Sequence, residues 1–361
     1  MKDSCILITG GTGTLGKALT KLLLSASHSA NRPKAIRIFS RDEWKHQKMR
    51  EELGTQEFYA STVSHLIGDV REESRLRRAM EGVDIVFHAA AMKQVPACEY
   101  NPLEAISTNI LGSQNVLNAA LDTKVQKVMF ISTDKAVDPK NIYGATKLCA
   151  EKIFIYGNSY AGLRPTRFSC CRYGNVLGSR GSVVQTFLEL SIEGKPIPIT
   201  DNAMTRFWIR AEDVARFLID RTLNMQGSEI FVPKMPSMKI VDLAESIMAA
   251  VRYAAIFGEL PSTPTRPPAP VPGPGILEVG VRPGEKLHET LVTAEEMEYT
   301  EETDHYFIVR PGTTHIKATR KPAYTSDTND HWLSQEEAGG MIADIMETMG
   351  VKIERKLADV E

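Results

Sequence analysis

The sequence has little of what marks several large protein classes. It has only five cysteines, Cys5, Cys98, Cys149, Cys170 and Cys171, an odd number with no CxxC spacing. That argues against a disulfide framework or a zinc ribbon and for free, buried thiols in a reducing compartment. No excess of either charge exists: 43 Lys and Arg face 45 Asp and Glu over 361 residues. Without a basic field, neither nucleic acid nor an anionic membrane is expected as a partner. No apolar run approaches the roughly 18 residues of a spanning helix. The start, Met1 to Ser4, runs straight into a short apolar strand and then glycines. A secretory leader is therefore not expected, and a cytoplasmic address is. The eight histidines show no metal-ligand spacing, and His88, mid-strand among apolar residues, reads as a satisfied core histidine.

What is present is a rhythm. Short β-branched runs at Cys5–Thr9, Ala35–Ser40, Ser64–Asp69, Asp84–Ala90, Lys127–Thr133 and Thr166–Tyr173 alternate with helical stretches. The latter include Gly16–Leu24, Glu72–Met80, Ser107–Leu121 and Tyr143–Tyr156, and a helix at Ala211–Asn224 precedes a further strand at Glu229–Val232. Apolar strands separated by helices predict an α/β fold, a Rossmann-like doubly wound parallel sheet. The rhythm changes beyond Asn175. We expect a dinucleotide-binding domain over 1–175, continued by about 211–232, and a smaller α/β substrate lobe over 176–210 and 233–361. Residues 261–275 hold seven prolines in fifteen and read as an extended surface insertion.

At the first strand-to-helix junction stands Thr9-Gly10-Gly11-Thr12-Gly13-Thr14-Leu15-Gly16. Gly10 permits a tight turn, Gly13 lets backbone amides approach a pyrophosphate, and Gly16 lets helix pack on strand. Together with Thr12, Thr14 and Leu15 they predict a dinucleotide cradle. The second strand ends Phe39-Ser40-Arg41, then Asp42 and Lys45. A hydroxyl, a guanidinium and an ammonium suit a 2′-phosphate, so NADP is expected over NAD, with Asp42 the one contrary residue. Asp69 and Val70 are expected at the adenine edge, and Ala89 beneath the nicotinamide half. Tyr143 and Lys147, at i,i+4 on one helix face, form a YxxxK pair. Its ammonium is expected to lower the phenol's pKa and hold the nicotinamide ribose.

These residues resemble the extended short-chain dehydrogenase/reductases, and within them the inverting UDP-N-acetylglucosamine 4,6-dehydratases that begin pseudaminic acid synthesis for flagellin glycosylation. TGGTGTLGK, FSRDE, IGDVR, HAAAMKQVPACEYNP, TNILGSQNV, STDKAVDPKNIYGATK, RYGNVLGSRGSVV and RPGEKLHE carry the resemblance, and the proline-rich segment before Arg282 is the clearest departure from it. The resemblance implies that Tyr143, assisted by Thr133 and Lys147, takes the sugar 4-hydroxyl proton as hydride passes to NADP⁺. Lys135 is then the base at carbon 5, and Asp134 the acid for the departing 6-hydroxyl. Retaining dehydratases carry Asp-Glu after the Thr, and related retaining and epimerising enzymes tend to have Met in place of Tyr143. The resemblance also implies that Lys93, Asn175, Val183, Arg206, Arg282 and Glu285 contact the nucleotide sugar, Lys93 also lying near the nicotinamide. It implies a homo-oligomer. A UDP-sugar 4-epimerase, a retaining dehydratase and a catalytically silent NADP-sensing regulator are the rival expectations.

Overall fold

The structure, a computed structural model, describes residues 1–25, 32–179, 181–257, 275–312 and 322–348. The chain forms two compact units. The first takes Met1–Tyr173, Ala211–Lys234 and Thr290–Tyr324; the second takes Gly174–Arg210, Met235–Glu289 and the chain from Thr325 onward.

The first unit is built on a nine-stranded sheet. Its parallel core comprises β1 (Cys5–Thr9), β2 (Ala35–Ser40), β3 (Val63–Ile67), β4 (Ile85–His88), β5 (Lys127–Ile131) and β6 (Arg167–Cys171). They are ordered β3-β2-β1-β4-β5-β6, so the chain winds outward in one direction through β3, returns beside β1 and winds the other way. The carboxyl ends of β1 and β4 flank that reversal, where ligands of doubly wound sheets bind. All five residues of β1 are buried. Such a strand needs helices on both faces, and the segments between strands supply them.

Several boundaries differ from expectation. β3 begins at Val63 and ends before Asp69, and β5 ends at Ile131 rather than Thr133. Backbone pairing nonetheless runs on, with the Ser132 and Asp134 amides donating to the Cys171 and Tyr173 carbonyls at 2.8 and 3.1 Å. The stretch after Ser107 starts as a π-helical turn, Ser107–Leu111, before the α-helix Gly112–Asp122. The largest correction concerns Thr290–Tyr324, which sequence reasoning put in the substrate lobe. Tyr306–Val309 pairs antiparallel with Ile230–Pro233, and Thr300–Glu302 pairs antiparallel with Tyr306–Val309, extending the first unit's sheet. Short strands returning from so far along the chain leave no periodicity to read.

The second unit holds a three-stranded sheet (Asn175–Val176, Thr205–Ile209, Ser237–Lys239) and a parallel pair, Ile197–Ile199 with Ile276–Glu278. Helices Val183–Ile192, Ile240–Phe257 and Gln335–Thr348 close a core around Trp208, Leu188, Ile247 and Met346. Of the proline-rich 261–275, only Gly275 lies among the described residues; its carbonyl accepts from the Ile197 amide. No described helix is long and apolar enough to cross a membrane.

Candidate functional site

The glycine turn after β1 has the shape its spacing predicts. Gly10 sits at φ +66°, and a Cβ there would meet the Ala90 backbone at 2.8 Å. A Cβ on Gly16 would collide with the backbone of Gly11. Gly11, absent from the sequence-based set, is just as constrained: its Cβ would press on the Ile8 carbonyl at 2.8 Å. Helix Thr14–Leu24 has Gly13 at its N-cap, no side-chain cap and no acidic residue in its first turn. Its leading amides are left for an anion, and the half-buried Thr14 and Leu15 stand at that end. These are the features a pyrophosphate cradle requires.

At the end of β2, Thr12 Oγ1 and Ser40 Oγ lie 2.9 Å apart, tying the glycine turn to the strand. Asp42 is spent on structure: it caps helix Glu43–Leu53, accepting from the Lys45 amide, and pairs with the Lys45 ammonium at 3.2 Å. Arg41 is largely exposed, 3.6 Å from Asp69. Asp69 accepts chiefly from Arg71, whose backbone and guanidinium both donate to it. Burial would raise the Asp69 carboxyl, but these bonds hold it below the usual range. Val70 is buried, and a Cβ on Gly112 would press on its side chain. Ala89 is half-buried, its amide donating to the Thr9 carbonyl.

The second cluster stands at the end of β5. Thr133 caps a single 3₁₀ turn, Asp134–Ala136, and its hydroxyl donates to Asp134 Oδ1 at 2.8 Å. Asp134 is fully buried, and the Lys135 ammonium reaches its Oδ1 at 3.1 Å. Helix Ile142–Ala161, capped by Asn141, presents Tyr143 one residue into its first turn. Gly144 has no room for a side chain, because a Cβ there would strike the Lys135 carbonyl. That contact presses the Lys135 turn against the helix start.

Electrostatics here depart from expectation. Burial pushes the Tyr143 phenol up to about 12, opposed first by the charge of Lys135 and then by a hydrogen bond with Thr133. The ammonium acting on Tyr143 is therefore Lys135, not Lys147. Lys147 donates to the Ile131 carbonyl at 2.6 Å and lies 4.0 Å over the Phe130 ring. Burial brings it down to about 7, with Glu151 pulling the other way. Lys93, open to solvent, is lowered by the protein packed around it and by Lys135.

Two buried groups went unread in the sequence. Glu151 accepts from Ser132 and, bidentately, from the buried Arg172, which also donates to Glu296 at 2.8 Å. Asn109, in the π-turn, bonds both the amide and the carbonyl of Met92 and donates to Thr146 at 2.9 Å. It pins the loop after β4 to the helix of Tyr143. An Asn inside a helical run was the available signal, since such a side chain favours backbone partners over helix. His88 is a core residue as expected, 2.7 Å from Thr9 Oγ1 and pushed down to about 3 by burial. Cys149 is exposed, unlike the other four thiols.

In the second unit, Asn175 lies in a two-residue strand opposite Trp208, and Val183 opens its helix while packing on the core. Arg206 is buried, and its guanidinium donates to the carbonyls of Thr205, Lys286 and Leu287 at 2.7–3.1 Å. It also faces Glu285 and Glu289 at 3.8 and 3.7 Å. A guanidinium so engaged organises the 285–289 segment rather than standing open to an anion. Arg282 is exposed, its amide 3.4 Å from Glu285. Among the described residues, no group of three or more His, Cys, Asp or Glu side chains could hold a metal.

A doubly wound sheet with a glycine cradle at its first turn and a Thr-Asp-Lys/Tyr-x-x-x-Lys cluster beyond β5 defines a short-chain dehydrogenase/reductase of the extended, Rossmann-type class. The chain belongs to the polysaccharide biosynthesis protein family, whose pattern matches residues 6–311. It is 42% identical over 349 residues to the inverting UDP-N-acetylglucosamine 4,6-dehydratase of Campylobacter jejuni, covering 92% of this chain and 95% of that one. A UDP-glucose 4-epimerase of Rickettsia canadensis is 40% identical over 84% of this chain and 82% of its own. The crystal structure of Pen from Bacillus thuringiensis superposes with a TM-score of 0.81 at 37% identity, covering 95% and 99% of the two chains.

Proposed function

We propose that this chain is a configuration-inverting dehydratase of UDP-N-acetylglucosamine, acting on sugar carbons 4, 5 and 6. The observation that carries the reading is the buried Thr133–Asp134–Lys135 turn pressed against the helix start that bears Tyr143. A nicotinamide dinucleotide held by Gly10, Thr12, Gly13, Thr14, Leu15 and Gly16 supplies the hydride acceptor and donor. Tyr143 receives the 4-hydroxyl proton as the phenolate, the form that Lys135 and Thr133 favour against the burial that raises it. Lys147 orients the ribose of the dinucleotide beside Ala89 and Lys93. The resulting 4-ketone acidifies the hydrogen at carbon 5. Once the proton of their 3.1 Å pair has passed from Lys135 to Asp134, the neutral Lys135 amine removes that hydrogen while the Asp134 carboxylic acid protonates the departing 6-hydroxyl. With the hydride returned to carbon 6, delivery of a proton to the opposite face of carbon 5 gives a 4-keto-6-deoxy-L-hexosamine, a precursor suited to glycan assembly such as pseudaminic acid synthesis.

We assign NADP as the dinucleotide. With Asp42 tied up as a helix cap and by Lys45, no carboxylate is left at the end of β2 for the ribose hydroxyls. Ser40 and the largely exposed Arg41 stand at that strand end for a 2′-phosphate, which would also compete with Asp42 for Lys45. In the second unit we assign Arg282, Asn175, Glu285 and the turn before Val183 to the nucleotide sugar, with Arg206 holding the 285–289 stretch in place. A second copy of the chain is proposed to cover Tyr100, Leu103, Tyr156 and Tyr160, all exposed.

The test is incubation of the pure protein with UDP-N-acetylglucosamine and NADP⁺ in deuterated water, read by NMR and mass spectrometry. The expected product has lost water, carries deuterium at carbon 5 and has the L-configuration there. The epimerase reading is favoured by the Rickettsia relative. It requires instead the 4-epimer, at unchanged mass and with no solvent deuterium.

A further inference from the structure

Behind the cofactor cradle lies a chain of hydrogen-bonding side chains to which neither the fold nor the chemistry above assigns a role. Ser40 Oγ, besides meeting Thr12, lies 3.0 Å from His46 Nε2. His46 Nδ1 meets His65 Nδ1 at 2.7 Å, and His65 Nε2 meets the Tyr59 hydroxyl at 2.7 Å. His46 and Tyr59 are buried, and His65 is half-buried on β3. The protons in this chain can be placed. His46 Nε2 also lies 3.1 Å from the Ser40 carbonyl, which only accepts, so Nε2 carries the hydrogen. A neutral His46 then has a lone pair on Nδ1, which makes His65 Nδ1 the donor. His65 Nε2 is left as acceptor for the Tyr59 hydroxyl.

Every link is satisfied by one proton, and all members are neutral. Two imidazolium N–H groups could not share the 2.7 Å contact. Burial lowers both rings, and Arg50 lowers them further, bringing His65 down to about 4; Asp42 and the bond to the Ser40 backbone oppose this at His46. The direction of the chain has a consequence at its far end. Ser40 Oγ accepts from His46, so its own hydrogen points onward, to Thr12 or to an anion held beside Thr12.

We propose that His46, oriented by His65 and Tyr59, is a specificity-determining positioning residue that fixes the Ser40 hydroxyl as a donor toward the 2′-phosphate of the dinucleotide. This rests on the NADP reading above. A phosphate dianion is acceptor-only, whereas a ribose 2′-hydroxyl can take either role. A serine locked as donor therefore favours the phosphate form.

Binding of NADP⁺, NAD⁺ and adenosine 2′,5′-bisphosphate is measured by calorimetry at pH 7.5 on the full chain and its variants. Wild type is expected to prefer NADP⁺. His46→Leu is expected to weaken NADP⁺ and the bisphosphate about tenfold, as for one hydrogen bond to a charged group, while NAD⁺ moves less than twofold. Tyr59→Phe, which removes one oxygen, gives a smaller change in the same direction. His46→Gln, which keeps an N–H for Ser40, restores most of the preference, as a purely packing role would not require. Nitrogen-15 NMR at pH 7.5 is expected to show both rings neutral, protonated at Nε2 in His46 and Nδ1 in His65. Equal affinity of wild type for NADP⁺ and NAD⁺ overturns the cofactor reading and this inference together. An intact preference in His46→Leu and Tyr59→Phe, or the opposite tautomers, overturns the inference alone.

Discussion

Two strand ends of the first unit invite comparison. β2 closes on Ser40 and runs into Arg41-Asp42 with Lys45 one turn on, and β5, ending at Ile131, runs into Ser132-Thr133-Asp134-Lys135. Both offer a serine, a carboxylate and a cation at the carboxyl edge of one sheet. At β5 the carboxylate is fully buried and gripped by Thr133 and Lys135, and the serine bonds a buried Glu151. At β2 the Asp42–Lys45 pair stands in solvent and the carboxylate caps a helix. Water screens the second pair to little effect, whereas the first keeps most of its Coulombic interaction. Near-identical side chains are thus proposed to supply reactivity at one strand end and recognition at the other, and burial is what distinguishes them.

The β5 end breaks most severely. Lys135→Ala is expected to retain slow hydride transfer, seen as transient NADPH absorbance, yet to lose exchange of the carbon-5 hydrogen with deuterated solvent by about two to four decades. Tyr143→Phe suppresses both signals, because the 4-hydroxyl proton has no acceptor. Exchange at the wild-type rate in Lys135→Ala would remove Lys135 as the base.

Next in size is Glu151→Gln, which leaves the buried Arg172 with Glu296 alone. Removing one partner from such a pair costs about 3–5 kcal/mol, to be read from urea unfolding. Glu151 raises Lys147 against the burial that brings it to about 7. Its loss lowers Lys147 further, so the alkaline limb of NADPH formation should move to lower pH. A fixed limb would separate Glu151 from Lys147.

At the β2 end the effects are on binding. Arg41→Ala is expected to weaken NADP⁺ by about 1.5–3 kcal/mol, the contribution of a hydrogen bond to a charged group, and to leave NAD⁺ nearly unchanged. Equal losses in calorimetry would refute the phosphate assignment. Smallest of all, Asp42→Ala should lower the melting temperature slightly without altering cofactor preference. A swing toward NADP⁺ would instead mean that Asp42 had been competing for the ribose.

The sequence was readable wherever local chemistry dictates geometry. Gly10 is demanded by the φ of +66° its tight turn imposes and Gly16 by the backbone of Gly11 five residues before it, and the i,i+4 spacing of Tyr143 and Lys147 follows from helical pitch. Burial and distant pairing were not readable. Nothing in Lys147 announces that its ammonium turns to the Ile131 carbonyl, or that it is the charge of Lys135 that lowers the phenol. Arg172 reads as one more charge at a strand end until Glu151 and Glu296 arrive from 21 residues before and 124 after it. Arg206 likewise looked like an open cation, because the carbonyls that occupy it lie some 80 residues on.

The strands Thr300–Glu302 and Tyr306–Val309 complete the first unit's sheet, yet the chain reaches them only after leaving that unit twice. During synthesis the edge of Ile230–Pro233 therefore stays uncovered until about residue 309 has emerged, with unpaired amides and carbonyls open to any passing strand. Neither unit can be cut out as one continuous stretch. A truncation before residue 290 would strip the first unit of its last two strands and leave a sticky edge rather than a smaller enzyme.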